Sequence, residues 1–248
     1  MPFDTDPVLI VLVALILLLG ATVKGAMGIG MPLVSIPLLS LLVSPPLAIA
    51  LLAAPILASN AMQIYETKPR GLSIKRMGLL LLCQTVSMVV TVRWTASISP
   101  SELNKWLGVS ILLTAALLMF KPSFHIPAKL EPVFSVLVGL AAGFVGGVSS
   151  MTGPVVIAYL IALRMRREEF IGTISTVYLL TAVPMYAAMM WFGRFGIGAV
   201  LLSLLALPPM FLGMHFGRQL RQYLDEQRFR RILLVFLVAM AATLFLKP

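Results

Sequence analysis

The sequence predicts an all-α polytopic membrane protein, built from two inverted-topology repeats whose broken or half-helices meet near the bilayer midplane. Three observations carry that expectation. Of 248 residues, 60% are hydrophobic and 11% charged, whereas a soluble domain of this length carries about 25% charge. The charges gather at 68–76, 164–169 and 218–231, and stretches such as 77–92, 132–163, 170–193, 195–217 and 232–246 hold no Asp, Glu, Lys or Arg. Finally, each half of the chain contains one Gly/Pro-rich, polar-spotted break in otherwise apolar sequence.

Taken in order, the apolar runs fall at 8–23, 31–43, 46–64, 77–93, 103–120, 132–150, 153–163, 170–192, 196–217 and 231–246. About 20 apolar residues cross a hydrocarbon core of about 30 Å. The runs 8–23, 31–43 and 153–163 are short by that measure, since 13 residues reach only about 20 Å. They are expected either as half-helices that dip in and return or as tilted pieces of a broken helix. Placing the basic loops 65–76, 164–169 and 218–230 in the cytoplasm collects most of the Lys and Arg there, with the acidic N-terminus outside. The first repeat, 1–124, then starts outside and ends inside, and the second, 125–248, does the reverse. Each has five runs with a short one second, an arrangement that builds a site between repeats. Asp4 and Asp6 stand where a signal peptide would carry basic residues, so the first run is expected to stay.

The first break reads Lys24-Gly25-Ala26-Met27-Gly28-Ile29-Gly30-Met31-Pro32, and the second reads Gly143-Phe144-Val145-Gly146-Gly147-Val148-Ser149-Ser150-Met151-Thr152-Gly153-Pro154. An opened backbone survives in lipid only where protein or a water-filled cavity satisfies it. Pro32 and Pro154 suit the first turn of a helix, where an absent N–H is not missed. Helices starting there present free N–H groups and a positive dipole end, so two such starts converging would hold an anion. Gly25, Gly28, Gly30, Gly146 and Gly153 would let a ligand approach the main chain; isolated Gly108 and Gly139 read as packing positions.

Lys24 is the only ionisable residue between Val8 and Tyr65 that carries a charge at neutral pH, and a charge within a span is a functional candidate. Two readings stay open. At the tip of a hairpin entering from outside it would face an anion, whereas at the end of a full crossing it would snorkel at the cytoplasmic interface. Ser149, Ser150 and Thr152 offer hydroxyls beside the second break, of which one is expected at the ligand, the others bonding back to their own helix. Asn60, Gln63, Gln84, Thr176 and Tyr178 are further cavity candidates, with interhelical bridging as the alternative. His125 and His215 are expected at the interfaces.

Several functions are disfavoured by what the sequence lacks. The basic residues lie in loops without aromatic interleaving or a nucleic-acid motif. Cys83 is the only cysteine, so no internal disulfide forms and no Cys-based metal site is expected. No zinc-protease helix, paired intramembrane aspartates, nucleophile elbow or phosphate-binding loop is present, so neither a catalytic residue nor a cofactor is expected. No Asp or Glu lies within an apolar run, which points to potential-driven anion export rather than a carboxylate proton relay. A channel, an intramembrane enzyme and a carrier of a non-sulfur carboxylate are the alternatives.

The same residues carry a resemblance. Gly25-x-x-Gly28-x-Gly30-x-Pro32 with Pro37, and Gly146-Gly147-Val148-Ser149-Ser150-Met151-Thr152-Gly153-Pro154 running to Tyr159-Leu160, resemble the two glycine-rich stretches of the sulfite exporter TauE/SafE family, also called the 4-toluene sulfonate uptake permease family. Leu207-Pro208-Pro209, Leu212-Gly213, Gly217 and the basic 228–231 segment are similar to its C-terminal pattern. The resemblance implies a multi-pass carrier in the cytoplasmic (inner) membrane of a prokaryote. Its implied partners are the lipid bilayer and a small anionic substrate, namely sulfite, a sulfonate or a related sulfur anion.

Overall fold

The computed structural model describes residues 7–67, 74–119, 125–165, 167–223 and 225–246. These form helices α1 Pro7–Met27, α2 Met31–Leu42, α3 Pro45–Leu51, α4 Ala53–Thr67, α5 Ile74–Ala96, α6 Pro100–Met119, α7 Glu131–Ser149, α8 Gly153–Ala162, α9 Arg167–Trp191, α10 Ile197–Leu202, α11 Leu207–Leu220 and α12 Glu226–Leu246. No strand occurs among the described residues. Seven segments are long and apolar enough to cross a membrane: Pro7–Met27, Pro45–Glu66, Arg76–Ala96, Ser101–Met119, Glu131–Ser149, Glu169–Trp191 and Ile197–Tyr223. The side chains are distributed as in a membrane protein. Leu15, Val86, Leu137 and Val235 face outward while Ser35, Asn60, Gln84 and Thr181 are buried. The chain is a multi-pass membrane protein.

Prolines divide two runs that hydropathy alone reads as continuous. Pro55 cannot donate to the Leu51 carbonyl, so the 46–64 run splits at Leu52 into α3 and α4. Pro208 and Pro209 act likewise on the 196–217 run, where a 3-10 turn over Ser203–Ala206 separates α10 from α11. Another correction concerns the first run. It is not short: α1 continues through Lys24-Gly25-Ala26-Met27 for 21 residues, about 31 Å. The short second members of both halves are present as α2 and α8, with 12 and 10 residues. Ser99 and Glu102 start α6 by reciprocal capping, the Ser99 amide donating to Glu102 Oε2 and the Glu102 amide to Ser99 Oγ.

The tightest packing joins helices of opposite halves. α1 packs on α11 and α5 on α7, each through glycines that bring backbones together. A Cβ on Gly213 would overlap the Leu18 carbonyl oxygen, and one on Gly217 the Thr22 carbonyl oxygen. Gly139, Gly143 and Gly147 of α7 similarly meet the backbone of α5 at Leu80, Gln84 and Met88. Contacts rise together along both chains in each pair, so both pairs are parallel. Ala54–Ser203 and Glu66–Arg218 contacts set α4 parallel to α11. Gln84–Thr181 and Thr95–Arg194 contacts set α9 parallel to α5. Six residues join α4 to α5, so the α1–α4–α11 trio runs opposite to the α5–α7–α9 trio. Their shared α4–α5 end is the basic end. Trp94 and Trp191, in the last turns of α5 and α9, mark the other.

Candidate functional site

Both breaks open onto one cavity. Gly28 and Gly30 take φ of 81° and 104°, a left-handed conformation that favours glycine, and turn the chain from α1 back into α2. Part of the opened backbone is satisfied: Gly28 N–H donates to the Lys24 carbonyl at 2.7 Å, Leu33 N–H to the Gly30 carbonyl at 3.0 Å, and the Gly28 carbonyl accepts from Gln63 Nε2 at 2.8 Å. Gln63 Oε1 in turn accepts from Ser175 Oγ at 3.1 Å, which ties the first break to α4 and α9. In the second break Ser150 takes φ 58° and its N–H caps α7 at the Gly146 carbonyl, while α8 begins at Gly153 with Pro154 in its first turn.

Lys24 is 3% exposed and lines this cavity. Its Nζ donates to Asn60 Oδ1 at 2.6 Å, and Asn60 is itself 1% exposed. α1 is long enough to cross, and the Lys24 side chain is buried in the protein rather than exposed at the helix end. A buried amine whose hydrogen bond is to a neutral amide is costly to charge, a cost that a bound anion would offset. Among the described residues no carboxylate lines the cavity.

Of the sequence-derived candidates, Lys24, Gly30, Pro32, Asn60, Ser150, Thr152, Gly153 and Tyr178 line the cavity together. The Tyr178 hydroxyl is buried with no hydrogen-bond partner among the described residues, and a Cβ on Gly153 would stand 2.9 Å from it. The other candidates lie behind the lining. Gly25 packs against the Met214 backbone, Gly28 forms the turn, and Gly146 sits against Thr152 and the Met88 methyl. Ser149 Oγ donates to the Val145 carbonyl and accepts from Met151 N–H. Thr176 donates to the Gly172 carbonyl, and Pro154 is buried in the first turn of α8. Two of the three break hydroxyls therefore line the cavity, where one was expected at the ligand. Gln63 and Gln84 bridge helices, Gln84 Nε2 reaching Thr181 Oγ1 at 3.4 Å. His125 and His215 are exposed.

Sequence reasoning missed the rest of the lining: Ile29, Leu33, Ile56, Met88, Met151, Ile157, Thr181, Ala182 and Met185. Apolar side chains inside apolar runs carry no local mark. The only available signal was the helical spacing of Tyr178, Thr181, Ala182 and Met185 on one face of α9.

Against models of known protein families, the chain matches Sulfite exporter TauE/SafE over residues 12–244. Comparison with curated proteins and with solved structures gives no match. The chain belongs to the sulfite exporter TauE/SafE family, a family of membrane transporters.

Proposed function

We propose that this family member is a secondary carrier of a small sulfur-containing anion, sulfite or a sulfonate, and that it exports by alternating access in the cytoplasmic membrane of a prokaryote. The observation that carries the reading is the buried Lys24, bonded to neutral Asn60 and facing a cavity between two helix starts, those of α2 and α8. The lysine supplies a full charge, and the helix starts supply N–H groups and dipole ends. Repeats over 1–124 and 125–248 fit the helix pairing. Exchanging α1 with α7, α2 with α8, α4 with α9, α5 with α11 and α6 with α12 turns the α1–α11 contact into the α7–α5 contact and leaves α4–α9 and α6–α12 paired. Inverted repeats require the two trios to run in opposite directions, as they do.

The topology has its own test. In a Cys83→Ala background, Arg70→Cys should label from the cytoplasmic side and Asp4→Cys from outside. Labelling of both from one side defeats the inverted repeat.

Transport is tested by sulfite flux in proteoliposomes at fixed pH, with the potential clamped by potassium and valinomycin. A negative interior drives an anion out with about 2.3 kcal/mol per charge per 100 mV, about a 50-fold accumulation ratio. The expected result is saturable flux with counterflow whose direction follows the potential. Flux that ignores the potential and follows a pH gradient overturns the uncoupled mechanism, and flux without saturation or counterflow overturns the carrier.

A further inference from the structure

Toward the tryptophan end, a loosely held strap follows α9. The helix stops in a Schellman turn at Gly193, whose φ is 71°: Gly193 N–H donates to the Met190 carbonyl at 3.1 Å and Arg194 N–H to the Met189 carbonyl at 2.8 Å. In the segment 193–202 that comes next, α10 has no buried residue. A Cβ on Gly193, Gly196 or Gly198 would meet nothing within 4 Å. Two side-chain bonds tie the strap down. Arg194 Nη1 donates to the Thr95 carbonyl at 2.6 Å, and Ser203 Oγ accepts from the Ala54 N–H at 3.1 Å. Segments with so few buried contacts open before the packed core does.

The strap lies over the outer side of the cavity. Tyr186, one turn past the lining residue Ala182, is buried, and its hydroxyl lies beside the Ser150 side chain of the second break. The partly buried Phe195 packs on Tyr186 with ring centroids 6.4 Å apart. Two rings thus stand in line between Ser150, which lines the cavity, and the outer surface. Arg194 holds Phe195 there. Its anchor, Thr95, is seven residues past Met88 of the lining, about 10 Å farther out along α5. Arg194 Nε is buried with no hydrogen-bond partner, and among the described residues no carboxylate pairs with this side chain. One charged hydrogen bond therefore secures the closed strap. The donor left unused in that state gains water when the strap lifts.

We infer that the segment 193–202 is the outer gate of the central cavity: Phe195 on Tyr186 closes it, the Arg194–Thr95 bond latches it, and a swing at Gly193 opens it. This rests on the carrier reading of the cavity and its orientation, and deepens it by naming the element that admits the outer side.

The test is the rate at which a membrane-impermeant thiol reagent, added outside, labels Ala182→Cys in the full-length Cys83→Ala protein in right-side-out vesicles. Arg194→Met keeps the bulk of the side chain and removes the latch. That change and Phe195→Ala should each speed labelling by about tenfold or more, with the rate in inside-out vesicles unchanged. Arg194→Lys, which can still donate to the Thr95 carbonyl, should stay near the parent rate. Outside labelling that ignores both Arg194→Met and Phe195→Ala overturns the gate. An equal rise from both sides also overturns it, since that reports general loosening. If the variants do not fold, hydrogen exchange on the unmutated protein carries the test. Amides of 193–202 should exchange at least about tenfold faster than those of α11, and equal protection overturns the gate. Sulfite flux in the unmutated protein separates this inference from the carrier reading. Flux with unaltered labelling removes only the gate, whereas faster labelling without flux of sulfite or any sulfonate removes the carrier and leaves a gated cavity.

Discussion

Lys24→Met is expected to lose at least about 30-fold in anion affinity without losing stability in the empty state. The two effects have one cause. Lys24 is buried with its Nζ on Asn60 Oδ1, so in the empty protein charging the amine carries a desolvation cost that the amide only partly offsets. Methionine fills similar volume without that cost, and the melting temperature of the unliganded variant should equal or exceed the wild-type value. With ligand the balance reverses. Removing one member of a buried charge pair costs about 2–5 kcal/mol, which sets the 30-fold lower bound. At a sulfite concentration 100 times the wild-type Kd, ligand stabilises the wild-type protein by about 2.7 kcal/mol and the variant by about 0.9 kcal/mol or less. Lys24→Arg keeps the charge on a bulkier, forked head and should fall between. Thermal shift with and without sulfite separates the outcomes. An unchanged ligand-induced shift in Lys24→Met would show that the lysine is a structural residue bonded to Asn60 and not part of the anion site.

How far the site was legible depended on which residues leave a mark in apolar sequence. Charges, glycines and prolines do, and these led to Lys24, Gly30, Pro32 and Gly153, which line one cavity although the two breaks lie far apart in sequence. The end of α1 was misread for a related reason. Lys24 and Gly25 look like the start of a break, but Gly25 is where α1 meets the Met214 backbone of α11. That packing holds the helix through Met27, so tertiary contact overrides the low helix propensity of glycine. Pro55, Pro208 and Pro209 were visible but sat inside runs delimited by hydropathy, which does not register a missing N–H. Met88 left no such mark, since nothing local distinguishes a Met facing a cavity from one facing a neighbouring helix.

The glycines that make the helix pairs tight carry the other large effect. Gly217→Ala and Gly143→Ala should each destabilise the protein by about 3 kcal/mol or more, lowering its melting temperature by about 6–12 °C. At Gly217 a new methyl would overlap the Thr22 carbonyl oxygen and stand 2.8 Å from the Ala26 amide nitrogen. At Gly143 it would overlap the Gln84 carbonyl oxygen and stand 2.9 Å from the Met88 amide nitrogen. These neighbours are backbone, so no rotamer change relieves the overlap, and the helices must separate. Gly78→Ala and Gly198→Ala, with nothing within 4 Å of the added carbon, serve as controls and should shift the melting temperature by little. The consequence reaches the site, because α1 carries Lys24 next to the Gly25–Met214 contact and α5 carries Met88 at the Gly143 contact. Two backbone-tight pairs, α1 with α11 and α5 with α7, are expected to move as units, so under the proposed alternating access the cavity should open by movement between the pairs rather than within them. A disulfide locking α1 to α11 should then leave flux intact, while one joining α4 to α9 across the cavity should stop it. Equal melting of Gly217→Ala and Gly78→Ala would remove the rigid pairs from which that expectation follows.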